Sequence, residues 1–424
     1  MHCNNWPSAT KFSNKVAEYI DNHLQTGAIE GPLTEVSQKY RTSPIGAFLK
    51  KDSDKVHVIH DLSHPAGISV NDSISKEESS VCYSSVQDAV KLCTKFRQPW
   101  MAKTDIKDAY LMCPVNYNDR DLLGFVWYRD DEAEFYRYGS MALGLRSSAR
   151  LFSDIAHALR YMYVKEGAAE TSLFYLDDII TLSGSYEECL SSLNTIIRVV
   201  RAAGFDVQDR KTIGPSRVIE YLGVEIDTIK CRLRISSSKL REIQGVVQEY
   251  LNKELCTKRE LLSVIGKLNH AAQVVNYGCL FIRRLISVSK KPKSLHHRIH
   301  VGRECKADLR WWDKSLSKHE GIKYFPTPFI AATAQLLYTD ASDTGAAAVL
   351  GKKWTAIEFT GKFKWLKDKS IMYREMYAVV LGVATFSYNL RGTQVLMHID
   401  NQAVHHCIAA AKSKDYEINF LESS

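Results

Sequence analysis

Two adjacent aspartates interrupt an apolar segment, Phe174–Leu182, and limit what this segment can form. Its β-branched and aromatic residues predict a buried strand. Burial of one unpaired carboxylate is costly, and Asp177 and Asp178 also repel each other. The sequence therefore predicts a hairpin that carries both acids at its tip, where they face a cation. An ordinary Asp-Asp turn between two strands is the alternative, because aspartate is common in turns.

A third carboxylate, Asp105, ends a short predicted strand that leads up to it from Trp100. If this strand end meets the Asp-Asp hairpin, the three side chains form one site made only of oxygen ligands. Such a site suits Mg²⁺, which completes its shell with water and substrate phosphates. Two ions of this kind can activate an attacking hydroxyl and neutralise a leaving phosphate.

The surroundings of these acids resemble the palm signature of reverse transcriptases. The matching pieces are Thr104–Tyr110, the glycine loop Met141–Ala149 and Tyr175–Asp178, in that order. The resemblance implies an α+β fold, a right-hand polymerase with fingers, palm and thumb. It also implies the catalytic metal ligands, which are the carboxylates of Asp105, Asp177 and Asp178 and the carbonyl of Ile106.

The same resemblance implies which residues contact the incoming nucleotide. They are Lys50, Lys51, Ile106, Asp108, Ala109, Tyr110, Leu143, Gly144 and Lys211. Tyr110 would exclude a 2′-hydroxyl from the sugar site, and a core aromatic is the alternative. Lys211 would act as a general acid near the pyrophosphate, and a surface lysine is the alternative. Lys50 and Lys51 lie in the basic turn of a predicted fingers hairpin, for which plain solvation is the alternative.

A second set of acids follows in the last quarter of the chain. Asp340 ends a predicted strand, Glu375 lies on a predicted helix, Ile371–Asn389, and Asp400 ends a further strand. This order resembles ribonuclease H, which cuts the RNA strand of an RNA–DNA hybrid with two metals. The resemblance implies that Asp340, Glu375 and Asp400 are catalytic metal ligands. The family's fourth acid is expected beyond Ser424, so we expect either a fragment or a gene that ends early.

Composition favours a soluble protein of a reducing compartment. Hydrophobic residues make up 45% of the 424 residues and charged residues 25%, which is typical of globular proteins. No apolar run approaches the roughly 20 residues that span a bilayer, and no secretory h-region is visible. The ten cysteines form no Cys-x-x-Cys pair. We therefore expect an intracellular protein of the cytoplasm or nucleus, with no membrane partner.

Positive charge is concentrated in one stretch of the chain, residues 229–310. This basic block holds eighteen Lys and Arg against six Asp and Glu, a balance of +12. The whole chain carries +8, so the remainder sums to −4. A basic block in a chain with clustered acids indicates a polyanionic partner near metal chemistry. A solvated helical face is the alternative.

The patterns predict five regions in chain order. They are a lead-in at 1–30, fingers and palm at 31–227, a helical thumb at 228–290, a linker or connection at 291–332, and an incomplete RNase H-like α/β domain at 333–424. The wording His60–Ser63, and an RNase H placed directly after the thumb, look most like DIRS-type retrotransposons.

The predicted function is an RNA-directed DNA polymerase with an associated RNase H. Its predicted cofactor is Mg²⁺, with Mn²⁺ as the alternative, and its partners are an RNA template, a DNA primer, an RNA–DNA hybrid and dNTPs. One rival is a domesticated or decaying element that binds RNA–DNA without polymerising. His57 stands where the family has arginine, Leu143 where it has an aromatic or glutamine, and both favour this rival. A plain metal-dependent nuclease is the third possibility.

Overall fold

An antiparallel four-stranded sheet forms the centre of the first of two units, Met1–Leu222 and Gly223–Ser424, in the computed structural model. The structure describes residues 3–49, 56–326 and 334–410. In spatial order the strands of this sheet are Ser172–Tyr175, Asp178–Ser183, Trp100–Asp105 and Ile213–Ser216. Every residue from Ile179 to Ser183 is buried, because helices and neighbouring strands surround this strand. The apolar run thus forms a central strand without alternating polarity.

Two long helices, Ser148–Lys165 and Tyr186–Ala202, pack against each other, and the second also packs on the strand Trp100–Asp105. Their apolar side chains recur at helical spacing, as in Phe152, Ala156, Leu159 and Tyr163 of the first helix. The second helix begins with a capping box, in which the Ser185 hydroxyl accepts from the Glu188 N–H. The sheet therefore carries its acids on a rigid, well-packed support.

The remainder of the first unit contains a second core and two smaller sheets. One sheet has the order Ile29–Glu30, Glu132–Tyr138, Gly124–Arg129, and the other is the hairpin Ile45–Leu49 with Val56–His60. The helices are Pro7–Lys11, Ser13–Gln25 and Val86–Cys93. The 3₁₀ helices are Val70–Ser73, Tyr117–Leu123 and Asp209–Lys211, and one further strand is Val218–Tyr221.

The sequence pattern predicts a strand from Asp121 to Val126, and this prediction is wrong at its start. The strand begins at Gly124, because Tyr117–Leu123 is a 3₁₀ helix. The Asn116 side chain accepts from the N–H of Asn118 and so caps this helix. A local side-chain bond of this kind competes with strand pairing, which alternating hydrophobicity does not reveal.

The second unit begins with a helical region. Its helices are Ser237–Asn252, Lys258–Ala271, Arg283–Lys290 and Arg303–Lys318, with a 3₁₀ turn at Leu280–Ile282. Its strands are Val224–Asp227, Arg232–Arg234 and Ile322–Tyr324 in one sheet, and Leu255–Thr257 with Arg298–His300 in another. Trp312 is fully buried, and its indole N–H donates to the Phe281 carbonyl at 3.2 Å. This bond joins the last helix to the turn before the third.

The second unit ends in a mixed sheet. Its strand order is Lys353–Glu358, Gly345–Leu350, Gln335–Ala341 and Val395–His398. The last two strands are parallel, and the helix Ile371–Thr385 lies in the connection between them, as parallel pairing requires. This helix packs on the two central strands. The remaining elements are Gly361–Asp368 (3₁₀), Ser387–Leu390 and Gln402–Ala410.

Candidate active sites

Strand register brings Asp105 and Asp178 to the same end of the sheet in the first unit. Asp105 is the direct antiparallel partner of Asp178. Asp177 lies in the turn before that strand, after Leu176, whose φ of +54° allows the chain to reverse. The Asp177 carbonyl accepts the Ile106 N–H at 3.0 Å, which ties the turn to the end of the neighbouring strand. We call Asp105, Asp177 and Asp178 the first acidic cluster.

Charge repulsion is strong within the first acidic cluster. Burial, followed by the charges of Asp177 and Asp105, raises the pKa of Asp178 to about 6. The Nζ of Lys211 lies 2.9 Å from Oδ2 of Asp105, whose side chain is only 6% exposed. Burial alone would lower the pKa of Lys211, but its bond to Asp105 and the charges of the cluster raise it. The cluster therefore favours a cation.

The donor set of the first acidic cluster fits divalent ions. All three side chains offer only carboxylate oxygens, and their mutual repulsion falls when positive charge enters. In this structure the Lys211 ammonium supplies that charge to Asp105. Because the Lys211 side chain is 57% exposed, it can leave Asp105 without opening the core.

Tyr110 lies beside the first acidic cluster and also packs on the core. Its ring meets that of Phe152 edge-on, with centroids 5.6 Å apart. Burial, followed by the charges of Tyr83, Asp177 and Tyr175, raises its pKa to about 12. The phenol is therefore neutral at physiological pH. Ile106 and Ala109 of the same segment are buried, and Asp108 is exposed with φ +47°.

The glycine loop is held against the end of the strand Val56–His60 and the segment that follows it. At Gly144, φ is +126° and a Cβ would lie 1.9 Å from the His60 carbonyl oxygen, so only glycine fits. The Leu143 carbonyl accepts from the His60 N–H at 3.0 Å. The Asn71 amide donates to the Gly144 carbonyl at 2.8 Å and accepts from the Arg146 N–H at 2.8 Å.

Two further residues lie at these features and were missed by sequence reasoning: Asn71, which bonds to the glycine loop, and Lys103, which lies near the first acidic cluster. No sequence pattern points to Asn71, because its bonds cross more than 70 residues. The positive charge of Lys103 lowers the pKa of Asp178 and so offsets part of the rise that burial and the neighbouring acids cause. It precedes Asp105 by two residues and so shares its face of the strand, a signal that was available. Lys50 and Lys51 lie outside the described residues.

A second cluster of acids forms at the mixed sheet. Tyr338 pairs with His398 on the parallel strand, so Asp340 and Asp400, each two residues further on, end neighbouring strands on one side. Glu375 comes from the first turns of the helix Ile371–Thr385. One ligand oxygen from each side chain lies within 4.8 Å of the other two. We call Asp340, Glu375 and Asp400 the second acidic cluster.

Glu375 is the buried member of the second acidic cluster, with 4% exposure. Burial, followed by the charges of Asp400 and Asp340, raises its pKa to about 7. Its buried Oε2 has no hydrogen-bond partner. An unpartnered buried carboxylate oxygen is costly, and a divalent cation would satisfy it. The donor set therefore fits such an ion. Within the described part of the chain, the second acidic cluster is the one group of three His, Cys, Asp or Glu residues whose ligand atoms all lie within 4.8 Å of one another.

Both units match known protein families. Residues 61–226 match the family "Reverse transcriptase (RNA-dependent DNA polymerase)". Residues 332–419 match "RNase H-like domain found in reverse transcriptase". Among the described residues, no helix has the length and apolar character that a bilayer crossing requires.

The chain is similar to parts of much longer viral polyproteins. It is 23% identical to the genome polyprotein of Petunia vein clearing virus over 309 residues, which is 71% of this chain and 13% of that protein. It is 23% identical to the Gag-Pol polyprotein of Avian reticuloendotheliosis virus over 169 residues, covering 39% of this chain and 14% of that protein. The chain thus spans about a seventh or less of these relatives' length.

Two solved structures share the fold. The foamy viral protease-reverse transcriptase in complex with RNA/DNA hybrid matches with a TM-score of 0.59 at 16% identity, over 100% of this chain and 53% of that one. The dRH form in complex with double-stranded DNA matches with a TM-score of 0.57 at 16% identity, over 100% and 68%. The predicted fold class is confirmed, and the DIRS-type affiliation stays a prediction. The chain therefore carries a region that matches the reverse transcriptase family, followed by a region that matches the RNase H-like domain found in reverse transcriptase.

Proposed function

We propose that the chain copies RNA into DNA by two-metal nucleotidyl transfer at the first acidic cluster. The observation that carries this proposal is the register that opposes Asp105 to Asp178 at one sheet end, next to Asp177. Divalent ions bound by these carboxylates would supply activation of the primer 3′-hydroxyl and neutralisation of the leaving pyrophosphate. Mg²⁺ suits the oxygen-only donors best, and Mn²⁺ can replace it.

The protein's own residues contribute positioning and charge. The sheet fixes the three carboxylates, so no covalent protein intermediate is needed. Lys211, once released from Asp105, would face the departing pyrophosphate and donate a proton to it. Tyr110 would close the sugar site. Ile106, Asp108, Ala109, Leu143 and Gly144 would line the nucleotide site. The sequence resemblance assigns Lys50 and Lys51, which lie outside the described residues, to the same site.

The chain offers a matched control for the role of the Asp-Asp pair. Asp130 and Asp131 form a second Asp-Asp turn, between the strands Gly124–Arg129 and Glu132–Tyr138. Asp177→Asn should reduce dNTP incorporation on a primed RNA template by roughly 10³-fold. Asp131→Asn should leave it unchanged. Normal extension by Asp177→Asn, with the same thermal stability as the parent, would refute the proposal.

A second activity, hydrolysis of the RNA strand of an RNA–DNA hybrid, is proposed for the second acidic cluster. The convergence of its three carboxylates and the unpartnered Glu375 oxygen support it. Glu375→Gln should abolish release of labelled RNA from a hybrid and leave primer extension intact. Cleavage at the parental rate in this variant would contradict the assignment.

The nucleic-acid partners are part of the proposal. The similar foamy viral proteins are described in complex with double-stranded DNA and RNA/DNA hybrid, and the basic block at 229–310 supports similar partners here. None of the ten cysteines, all of which lie in the described part of the chain, forms a disulfide, in keeping with a reducing intracellular setting. A domesticated element that only binds RNA–DNA remains the rival. It would bind a primed template without Mg²⁺-dependent dNTP incorporation.

A further inference from the structure

A cavity of about 900 Å³ lies in the first unit, on residues that the proposed chemistry does not use. Its walls come from four stretches of the chain: residues of Val70–Ile74, of Met112–Leu123, which follows the Asp105–Tyr110 segment, of Met141–Ile155, and Ala203–Phe205. This volume is that of a site for a drug-sized molecule. The three aspartates of the first acidic cluster are not among its lining residues.

The lining of this cavity is apolar and acidic. Most of the wall consists of side chains such as Met112, Leu151 and Ile155, and two carboxylates, Asp119 and Asp154, complete it. Asp154 is already paired with Arg150 at 3.1 Å, whereas Asp119 is exposed and unpaired. No lysine or arginine occurs among the lining residues that the structure describes. Such a wall repels phosphates, so neither dNTPs nor nucleic acid suit it.

The cavity is connected to Tyr110 through aromatic contacts. Phe205 lines the cavity, and the centroid of its ring lies 6.1 Å from the ring centroid of the fully buried Phe152. Phe152 in turn contacts the ring of Tyr110. The Cys113 N–H, on the cavity wall, donates to the Tyr110 carbonyl at 3.1 Å. These contacts join the cavity wall to the segment that carries Tyr110.

We infer that this cavity binds small apolar molecules that carry one ammonium group, and that its occupancy changes nucleotide incorporation. The apolar wall supplies the contact area, and Asp119 supplies the counter-charge. The binding part stands on the cavity alone. The effect on incorporation rests on the proposed polymerase function.

Binding can be measured by ligand-observed NMR titration of the full chain, without nucleic acid or dNTPs. The probes are naphthylmethylammonium and naphthylacetate, which share a ring system and differ in charge. The cation should bind at least about fivefold more tightly than the anion. Asp119→Asn should reduce this preference by about fivefold, and Glu132→Gln, an exposed carboxylate elsewhere, should not. Equal binding of the two probes would overturn the inference.

Two further variants test whether the probe binds in this cavity. Ala203 lines the cavity and is exposed, so the indole of Ala203→Trp should enter the cavity and block binding of the probe without disturbing the core. Loss of binding in Asp177→Asn, but not in Asp119→Asn, would place the probe at the first acidic cluster and overturn the inference. The inference would also be overturned if sedimentation showed a dimer of the parent that Ala203→Trp converts to a monomer. The surface around the cavity would then be an interface between two copies of the chain.

The effect on catalysis is tested by primer extension with increasing naphthylmethylammonium at fixed primer and template. The cation should lower the rate in a manner that excess dNTP does not relieve, and Ala203→Trp should be insensitive. Binding that leaves extension unchanged would overturn the regulatory part of the inference. Absence of any polymerase activity would refute the proposed function and leave the NMR result standing.

Discussion

The ammonium of Lys211 donates a hydrogen bond to one carboxylate oxygen of Asp105, with Nζ 2.9 Å from Oδ2. Lys211 belongs to the 3₁₀ turn Asp209–Lys211, and Asp105 ends the central strand. A bound cation and Lys211 would compete for the same carboxylate. Lys211 therefore has two opposing effects, weaker metal binding in the free protein and proton donation in the reaction.

Lys211→Met should separate these effects. Without the competing ammonium, Mg²⁺ should bind about fivefold more tightly, because a like charge near 4 Å is removed. Loss of the general acid should slow single-turnover incorporation by roughly 10²-fold. Lys95→Met, at an exposed position, should change neither quantity. Calorimetric titration measures the Mg²⁺ affinity, and quenched-flow extension measures the incorporation rate. If Lys211→Met lowered both the affinity and the rate, Lys211 would not compete with the metal.

Gly144→Ala should destabilise the first unit by about 3 kcal/mol, since it combines a strained φ with a clash against the His60 carbonyl. Gly167 provides the control, because its φ is +95° but a Cβ there would meet nothing within 4 Å. Gly167→Ala should cost only about 1 kcal/mol, from the backbone conformation alone. Urea denaturation gives both values. Equal costs would show that contact with the His60 carbonyl contributes nothing.

Sequence reasoning located the acids but could not determine how they meet. The strand Asp178–Ser183 is buried on both faces, so its pattern contains no period from which to read the register with Trp100–Asp105. The pairing of Asp105 with Asp178 depends on tertiary packing. In the mixed sheet, the position of Asp340 and Asp400 at the ends of two predicted strands was enough to predict that they meet, because parallel neighbours end at the same edge.

Contacts between distant segments were not accessible from the sequence. Gly144 was predicted to lie in a loop near nucleotide, but its closest constraint is the His60 carbonyl. Asn71, which holds this loop on both sides, has no sequence signature. Both depend on the approach of segments more than 70 residues apart, which local propensity and periodicity do not encode.

Removal of metal should make the second unit sensitive to pH through Glu375. Its pKa rises from an ordinary value of 4.5 to about 7 in the folded state, so folding takes up a proton between these values. The contribution of Glu375 to stability is therefore greatest below about pH 4.5, falls as pH rises to 7, and stays lower above it, by up to about 3 kcal/mol. Chemical denaturation in EDTA across this range measures the loss.

Glu375→Gln should abolish this pH dependence and should be more stable than the parent in EDTA at pH 8. Mg²⁺ should reverse that order, because it binds the parent and stabilises it by mass action. Glu358→Gln, an exposed carboxylate on a neighbouring strand, serves as the control and should behave as the parent. A parent that is more stable than Glu375→Gln in EDTA at pH 8 would mean that neither burial nor the charges of Asp400 and Asp340 destabilise the ionised Glu375 side chain.

Tyr110→Ala should admit ribonucleotides. The ring, half-buried against Phe152 and close enough to Asp177 to feel its charge, is proposed to close the sugar site, so its removal opens space for a 2′-hydroxyl. Discrimination between dNTP and rNTP should fall by roughly 10²-fold, the scale on which a pocket rejects an added hydroxyl by shape. Tyr110→Phe keeps the ring and should keep the discrimination. Primer extension with each nucleotide separately gives the ratio of kcat/KM. Equal ratios in Tyr110→Ala and the parent, with both proteins folded, would make Tyr110 a core aromatic and nothing more.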